Sequence, residues 1–90
     1  MDAMPNEERI EHIRQVAISG PGVSGVENVY APKTGLQYHA ELHLEVNPLM
    51  TVQDSHELAT GVRFLAREKL DWVADLVVHV EPYHPERPPS

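Results

Sequence analysis

Between Gln37 and Asn47 apolar and polar positions alternate without a break, Tyr38, Ala40, Leu42, Leu44 and Val46 against His39, Glu41, His43 and Glu45. A period of two is the pattern of a half-buried strand, because successive side chains leave a pleated backbone on opposite faces. A second stretch repeats it near the C-terminus, with Leu76, Val78 and Val80 on one side and Val77, His79 and Glu81 on the other. This predicts a strand from Trp72 or Val73 to Glu81. Tyr38, Ala40, Leu42, Leu44, Val46, Leu76, Val78 and Val80 are therefore expected in a core, with His43 and His79 turned away from it.

The remaining elements follow from helical spacing and turn chemistry. Pro5 suits a first helical turn, and the acidic Glu7 and Glu8 sit where the helix dipole favours negative charge. The stripe Ile10, Ile13, Val16 and Ala17 then predicts a helix to about Ile18, ended by Ser19-Gly20-Pro21-Gly22. Val23 to Ala31 reads as a strand, and Pro32-Lys33-Thr34-Gly35 as the turn into the alternating one. After Asn47-Pro48, Thr51 is placed to cap a second helix, with Asp54 three residues on and Leu58, Val62, Leu65, Ala66 and Lys69 at helical spacing to about Leu70. Helix, strand, strand, helix, strand is an α+β order. The strand–helix–strand segment demands a parallel pair, so a three-stranded mixed sheet is expected with both helices on one face.

Ninety residues with 41% hydrophobic content suffice for a single core. The domain is expected to span residues 1–82, with 83–90 a flexible tail too rich in proline to add to it. A core this small leaves a thin stability margin, which a partner subunit or a bound ion would supplement. Seven basic against fourteen acidic residues give a formal charge of −7. No Lys/Arg cluster interleaves with aromatics, so nucleic acid is an unsuitable partner and cations are suitable ones.

The chain has no cysteine, and a tight transition-metal site would have to use nitrogen and oxygen donors. His43, His79 and Glu81 are such donors on the outward faces of two strands, and His56 lies in the first turn of the second helix. His39 and Glu41 share the face of His43. Imidazole and carboxylate together suit Zn²⁺, Co²⁺, Ni²⁺, Fe²⁺ or Mn²⁺, with Zn²⁺ the first expected in vitro. His12, among Glu8 and Glu11, reads as a solvated side chain, any metal contact of His84, in the tail, would be fortuitous or need a fold-back, and Trp72 reads as an anchor at a helix–strand junction.

Four segments, Pro21-Gly22-Val23-Ser24-Gly25-Val26, Leu42-His43-Leu44-Glu45-Val46, Met50-Thr51-Val52-Gln53-Asp54-Ser55-His56-Glu57 and Val78-His79-Val80-Glu81-Pro82, occur in an order and spacing that resemble the cytoplasmic C-terminal domain of the cation diffusion facilitator metal transporters. The resemblance implies a ferredoxin-like, metallochaperone-like α-β-β-α-β sandwich that forms a V-shaped homodimer, its lobes drawn together by divalent cations. It implies metal-site roles for His43, His56, His79 and Glu81, and places Glu27 where several members carry a further histidine. Met1 to Glu8 resembles the segment by which such proteins leave their last membrane helix. A transmembrane half of the same transporter would then be a partner, with this domain on the cytoplasmic side of the membrane.

Two other function classes fit the residues less well. Gly20 to Val26 is similar to the phosphate-cradling loop of acylphosphatases, but no arginine follows it to hold a phosphoryl group, and that family begins with a strand. A metal-dependent hydrolase with Glu41 or Glu81 as base lacks any sign of a substrate pocket. A soft-metal chaperone would need the thiols this chain lacks. The reading that results is a regulatory metal-binding module without enzymatic activity.

Overall fold

The computed structural model describes residues 6–85. Pro5 and most of the expected leader segment, and residues 86–90 of the expected tail, lie outside the described residues. Helix α1 (Asn6–Ile18) buries Ile13, Val16 and Ala17 on one stripe, with Ile10 half-buried. On its exposed side Gln15 and Arg14 hydrogen-bond Glu11 and hold its carboxyl below the usual carboxylate range. The turn after α1 passes through Gly22 at φ +90°, a left-handed conformation that glycine adopts without steric cost.

Strand β1 (Val23–Tyr30) pairs antiparallel with β3 (Gln37–Val46). Between them the expected turn contains a strand of its own, the two-residue β2 (Lys33–Thr34), paired with Gln37 and Tyr38. The three principal strands are thus joined by a fourth. Pro32 cannot donate to a ladder and so breaks the β1 edge, while Gly35 at φ +65° makes the tight return. Helix α2 (Val52–Lys69) leads into β4 (Val73–Pro82), which runs parallel to β3 from Tyr38↔Val73 to Val46↔Pro82. Thr51 caps α2 as its sequence implies, its Oγ1 accepting from the Asp54 N–H at 3.0 Å.

β3 is the central strand, with β1 and β2 along one edge and β4 along the other. α1 packs over β1 and α2 over β4. Ile13, Leu42, Leu44, Val62 and Leu70 are the large side chains sealed between helices and sheet. Leu76 and Val78 are half-buried on the edge strand β4, and Tyr38 is half-buried near the start of β3.

Val80 departs from its expected place. It is 37% exposed, because β4 there runs past the body of α2 and meets only its first turn, across a cavity of about 210 Å³ lined also by Val46, Met50, Val52 and Ser55. Arg9 departs in the opposite sense. It is buried, its guanidinium stacked 4.5 Å from the Tyr38 ring centroid and 5.4 Å from that of Trp72, which meet edge to face. Trp72 therefore anchors the α2–β4 junction. At the other end the Tyr83 N–H donates to the Val46 carbonyl at 2.8 Å, and Tyr83 and His84 are half-buried.

Candidate metal centre

The face of the sheet opposite the helices is laid out by strand register. His43 lies between Glu27 on β1 and His79 on β4; one pair further along, Glu45 lies between Gly25 and Glu81. In the other direction Glu41 lies between Tyr30 and Val77, and beyond it His39 faces Asp75. Alternation along β3 sends His39, Glu41, His43 and Glu45 to this face, and the parallel pairing brings the matching residues of β4 beside them.

Register fixes rows, and hydrogen bonds tie the rows together diagonally. The His79 Nε2–H donates to Glu41 Oε2 at 2.8 Å, and the His43 Nδ1–H donates to Glu81 Oε2 at 3.2 Å. A carboxylate only accepts, so each contact fixes its neutral ring's proton on the bonded nitrogen and leaves the lone pair of the other nitrogen available. The two rings lie 4.8 Å apart between centroids, tilted by 30°. Donor atoms of Glu41, His43 and His79 all fall within 4.8 Å of one another, as do those of Glu27, Glu45 and Glu81. His39 forms a separate pair with Asp75.

The donors present suit a divalent transition metal. Imidazoles whose far nitrogens are held by carboxylates are the usual arrangement around such ions, since the carboxylate orients the ring and raises its basicity. Clustered carboxylates add negative charge and oxygen donors. Partial exposure of His43 and Glu81, at 31% and 25% of their side chains, leaves a path for an ion while reducing solvent screening.

Of the residues expected at a metal site, Glu41, His43, His79 and Glu81 come together, and Glu27 joins them from β1. Asn28, in a left-handed conformation at φ 54°, follows Glu27 at an irregularity in the β1–β3 register, a local re-aiming of the strand. His39 lies on the same face but is taken up by Asp75. His56 is exposed on α2 and joins neither group of donors within this chain, although Val52 and Ser55 of the same turn border the cavity that Glu81 lines.

Glu45 is the residue that sequence pattern misplaces. Alternation puts it outward with the others, yet it is buried at 6% exposure. The cause is Gly25, its register partner. Without a Cβ at Gly25, the Glu45 side chain folds across the β1 backbone; a Cβ there would stand 2.3 Å from Glu45 Oε1. A glycine opposite an outward acid was the available signal.

Solved structures share this architecture. A single-substitution variant of the MamM CTD in a manganese form superposes with a TM-score of 0.81 at 26% identity, covering 87% of this chain and 100% of that one. A second variant in a cadmium form gives 0.82 at 27%, covering 89% and 100%, and a third in a nickel form 0.80 at 28%, covering 86% and 99%. Among curated proteins, the cation-efflux pump FieF of Yersinia pestis (strain Pestoides F) is 30% identical over 80 residues, which are 89% of this chain and 26% of that protein. Metal tolerance protein 2 of Oryza sativa subsp. japonica is 24% identical over 85 residues, 94% of this chain and 22% of that protein. The chain thus spans about a quarter of the length of these relatives. No helix among the described residues is long and apolar enough to cross a membrane. The model of the family described as "Cation efflux protein, cytoplasmic domain" matches residues 5–83, and the chain belongs to that family, one of transporter domains rather than enzymes.

Proposed function

We propose that this chain is the regulatory cytoplasmic domain of a divalent-cation efflux transporter, and that it senses metal through the outer face of its sheet. The observation that carries this reading is the convergence of Glu41, His43 and His79 donor atoms within 4.8 Å, with Glu81 on the His43 ring. His43 and His79 supply nitrogen; Glu41 and Glu81 supply oxygen and fix which ring nitrogen stays free. Glu27 adds a carboxylate where the resemblance places an imidazole in several members. His39 is held in reserve by Asp75.

The domain is proposed to act as a homodimer, as membership of this family implies. His56 lies apart from the rings within one protomer, so its part in the site would be played across a dimer. A formal charge of −7 per chain makes two lobes repel. A cation bound more tightly by the closed than by the open arrangement shifts the population toward closure, by an amount set by that difference in affinity. The bound ion supplies the neutralising charge. The protein supplies a rigid sheet that places donors from two strands at one point. In the whole transporter, the transmembrane half would receive this closure as a report of cytosolic metal level. The sensing domain ends near residue 82 in this proposal, with residues 83–90 as an appended tail.

Manganese, cadmium and nickel forms belong to three different variants of the MamM CTD, and imidazole with carboxylate donors suits several divalent ions, so Zn²⁺ is the probe of choice here. Calorimetric titration with Zn²⁺, paired with small-angle scattering, tests the reading. The parent should bind and its dimer become more compact, His79→Ala/Glu81→Ala should lose most binding, and His84→Ala should behave as the parent. A double variant that binds like the parent, with a scattering profile indifferent to metal, would refute it.

A further inference from the structure

β4 lies at an edge of the sheet, and among the described residues it pairs with β3 alone. An edge strand presents a row of unpaired N–H and C=O groups, which proteins usually guard with lysine, an internal proline or short length. β4 has none of these guards. It runs for ten residues, four of them valine, it has no lysine, and its proline is the last residue. Val77 and Val80 remain 46% and 37% exposed. The one irregularity, between the pairs Tyr38↔Val73 and His39↔Asp75, falls at the start of the strand and leaves the Ala74 backbone unmatched by β3.

A groove follows this edge where α2 passes it. A cavity of about 180 Å³ opens between Arg63, Ala66 and Arg67 of α2 and the backbone from Ala74 to Leu76. Two arginines one helical turn apart are like charges at a spacing that weakens a helix. Arg63 donates to Thr60 Oγ1 at 3.1 Å, and neither guanidinium is in an ion pair among the described residues, in a chain with fourteen acidic residues to seven basic ones. Asp75 borders the same groove, but its carboxylate is taken by His39. The groove therefore offers two guanidiniums beside an open backbone edge, the first suited to carboxylates and the second to an extended chain.

We propose that the open edge of β4 is a docking site for an acidic peptide segment, which adds to the sheet as a further strand and sets its carboxylates against Arg63 and Arg67. Spacing supports this occupant. α2 is the crossover between two parallel strands and so runs back along β4. Four residues of helix advance about 6 Å and two residues of strand about 6.6 Å, so acids at alternate positions of the added strand meet the two arginines in turn. A second copy of the chain fits less well. Its own β4 turns Leu76, Val78 and Val80, not acids, toward the helices, and each copy carries a formal charge of −7. The proposal stands apart from the metal centre and uses none of its residues.

The probe is a capped, fluorescently labelled peptide of alternating threonine and glutamate, titrated with the protein by fluorescence anisotropy, with amide hydrogen exchange followed in parallel. The peptide should bind and slow exchange along β4. Its counterpart with lysine for glutamate should bind at least about 10-fold more weakly. Arg63→Gln and Arg67→Gln should each weaken binding about 5-fold, with apo unfolding midpoints close to the parent's. Two further peptides carry N-methyl groups on the threonine amides or on the glutamate amides. A strand added to one edge uses only alternate N–H groups there, so one methylated peptide should lose binding and the other keep it. Absence of binding, equal affinity for the lysine peptide, or arginine variants that bind like the parent would overturn the proposal. So would binding that survives both methylations, or displacement of the peptide by an equal concentration of inorganic phosphate, either of which would leave a simple anion patch. Slow exchange in β4 that needs no peptide and rises with protein concentration would make a second copy the occupant, and would overturn it too.

Discussion

His79→Ala separates a ligand from a structural side chain, because the geometry predicts a small effect on the apo protein and a large one on the metal-bound protein. In the apo protein His79 is paired with Glu41 across an exposed surface, with 47% and 48% of the two side chains accessible. A pair so exposed contributes about 0–1 kcal/mol, and no core contact is lost with it. For a domain of this size 1 kcal/mol moves the midpoint by about 4–8 °C, so the apo variant should melt within a few degrees of the parent. Metal reverses the picture. At a free Zn²⁺ concentration about 100 times the dissociation constant, the parent gains about 2.7 kcal/mol, a rise of about 11–22 °C. If losing the ring weakens binding about 100-fold, the gain at the same concentration falls to about 0.4 kcal/mol, or about 2–3 °C. Thermal unfolding followed by circular dichroism, with chelator and with Zn²⁺, reads both quantities on one sample. An apo loss above about 2 kcal/mol would make His79 a structural residue, and a preserved metal-induced shift would remove it from the site.

Leu44→Ala should cost about 2–5 kcal/mol in urea denaturation, since Leu44 has 0% exposure on the central strand, and should weaken metal binding only through loss of the fold. Thr51→Ala should cost about 1 kcal/mol in the same assay, by removing the oxygen that accepts the Asp54 N–H. Two neutral imidazoles are needed to ligate, so protons compete with metal. Calorimetric Zn²⁺ affinity should therefore fall as the pH is lowered. A flat profile between pH 7 and about 5 would point to an all-carboxylate site.

Alternation made β3 and β4 legible, because a one-residue slip would expose Leu42 and Leu44 and bury His43, and the apolar set forbids it. The parallel pairing followed from one helix between two strands, whereas the meeting of His43 with His79 and of Glu45 with Glu81 is set by the register that the structure shows. Resemblance to a transporter family added which of the outward residues to follow. What pattern could not carry was anything set by a neighbour on another strand or helix. Glu45 is buried by the missing side chain of Gly25, Arg9 by the rings of Tyr38 and Trp72, and Val80 is left open by where α2 begins. The diagonal bonds from His79 to Glu41 and from His43 to Glu81 likewise depend on rotamers, to which strand periodicity is blind.

The central claim is that one face of the sheet takes up a transition-metal ion through His43 and His79 with carboxylate support. Crystals grown with Zn²⁺ and measured on both sides of the zinc absorption edge test it directly. The account predicts an anomalous peak about 2.0–2.1 Å from a nitrogen of each ring, with a Glu41 or Glu81 oxygen completing the shell. Zinc confined to other residues, with the His79–Glu41 and His43–Glu81 hydrogen bonds intact, would contradict it.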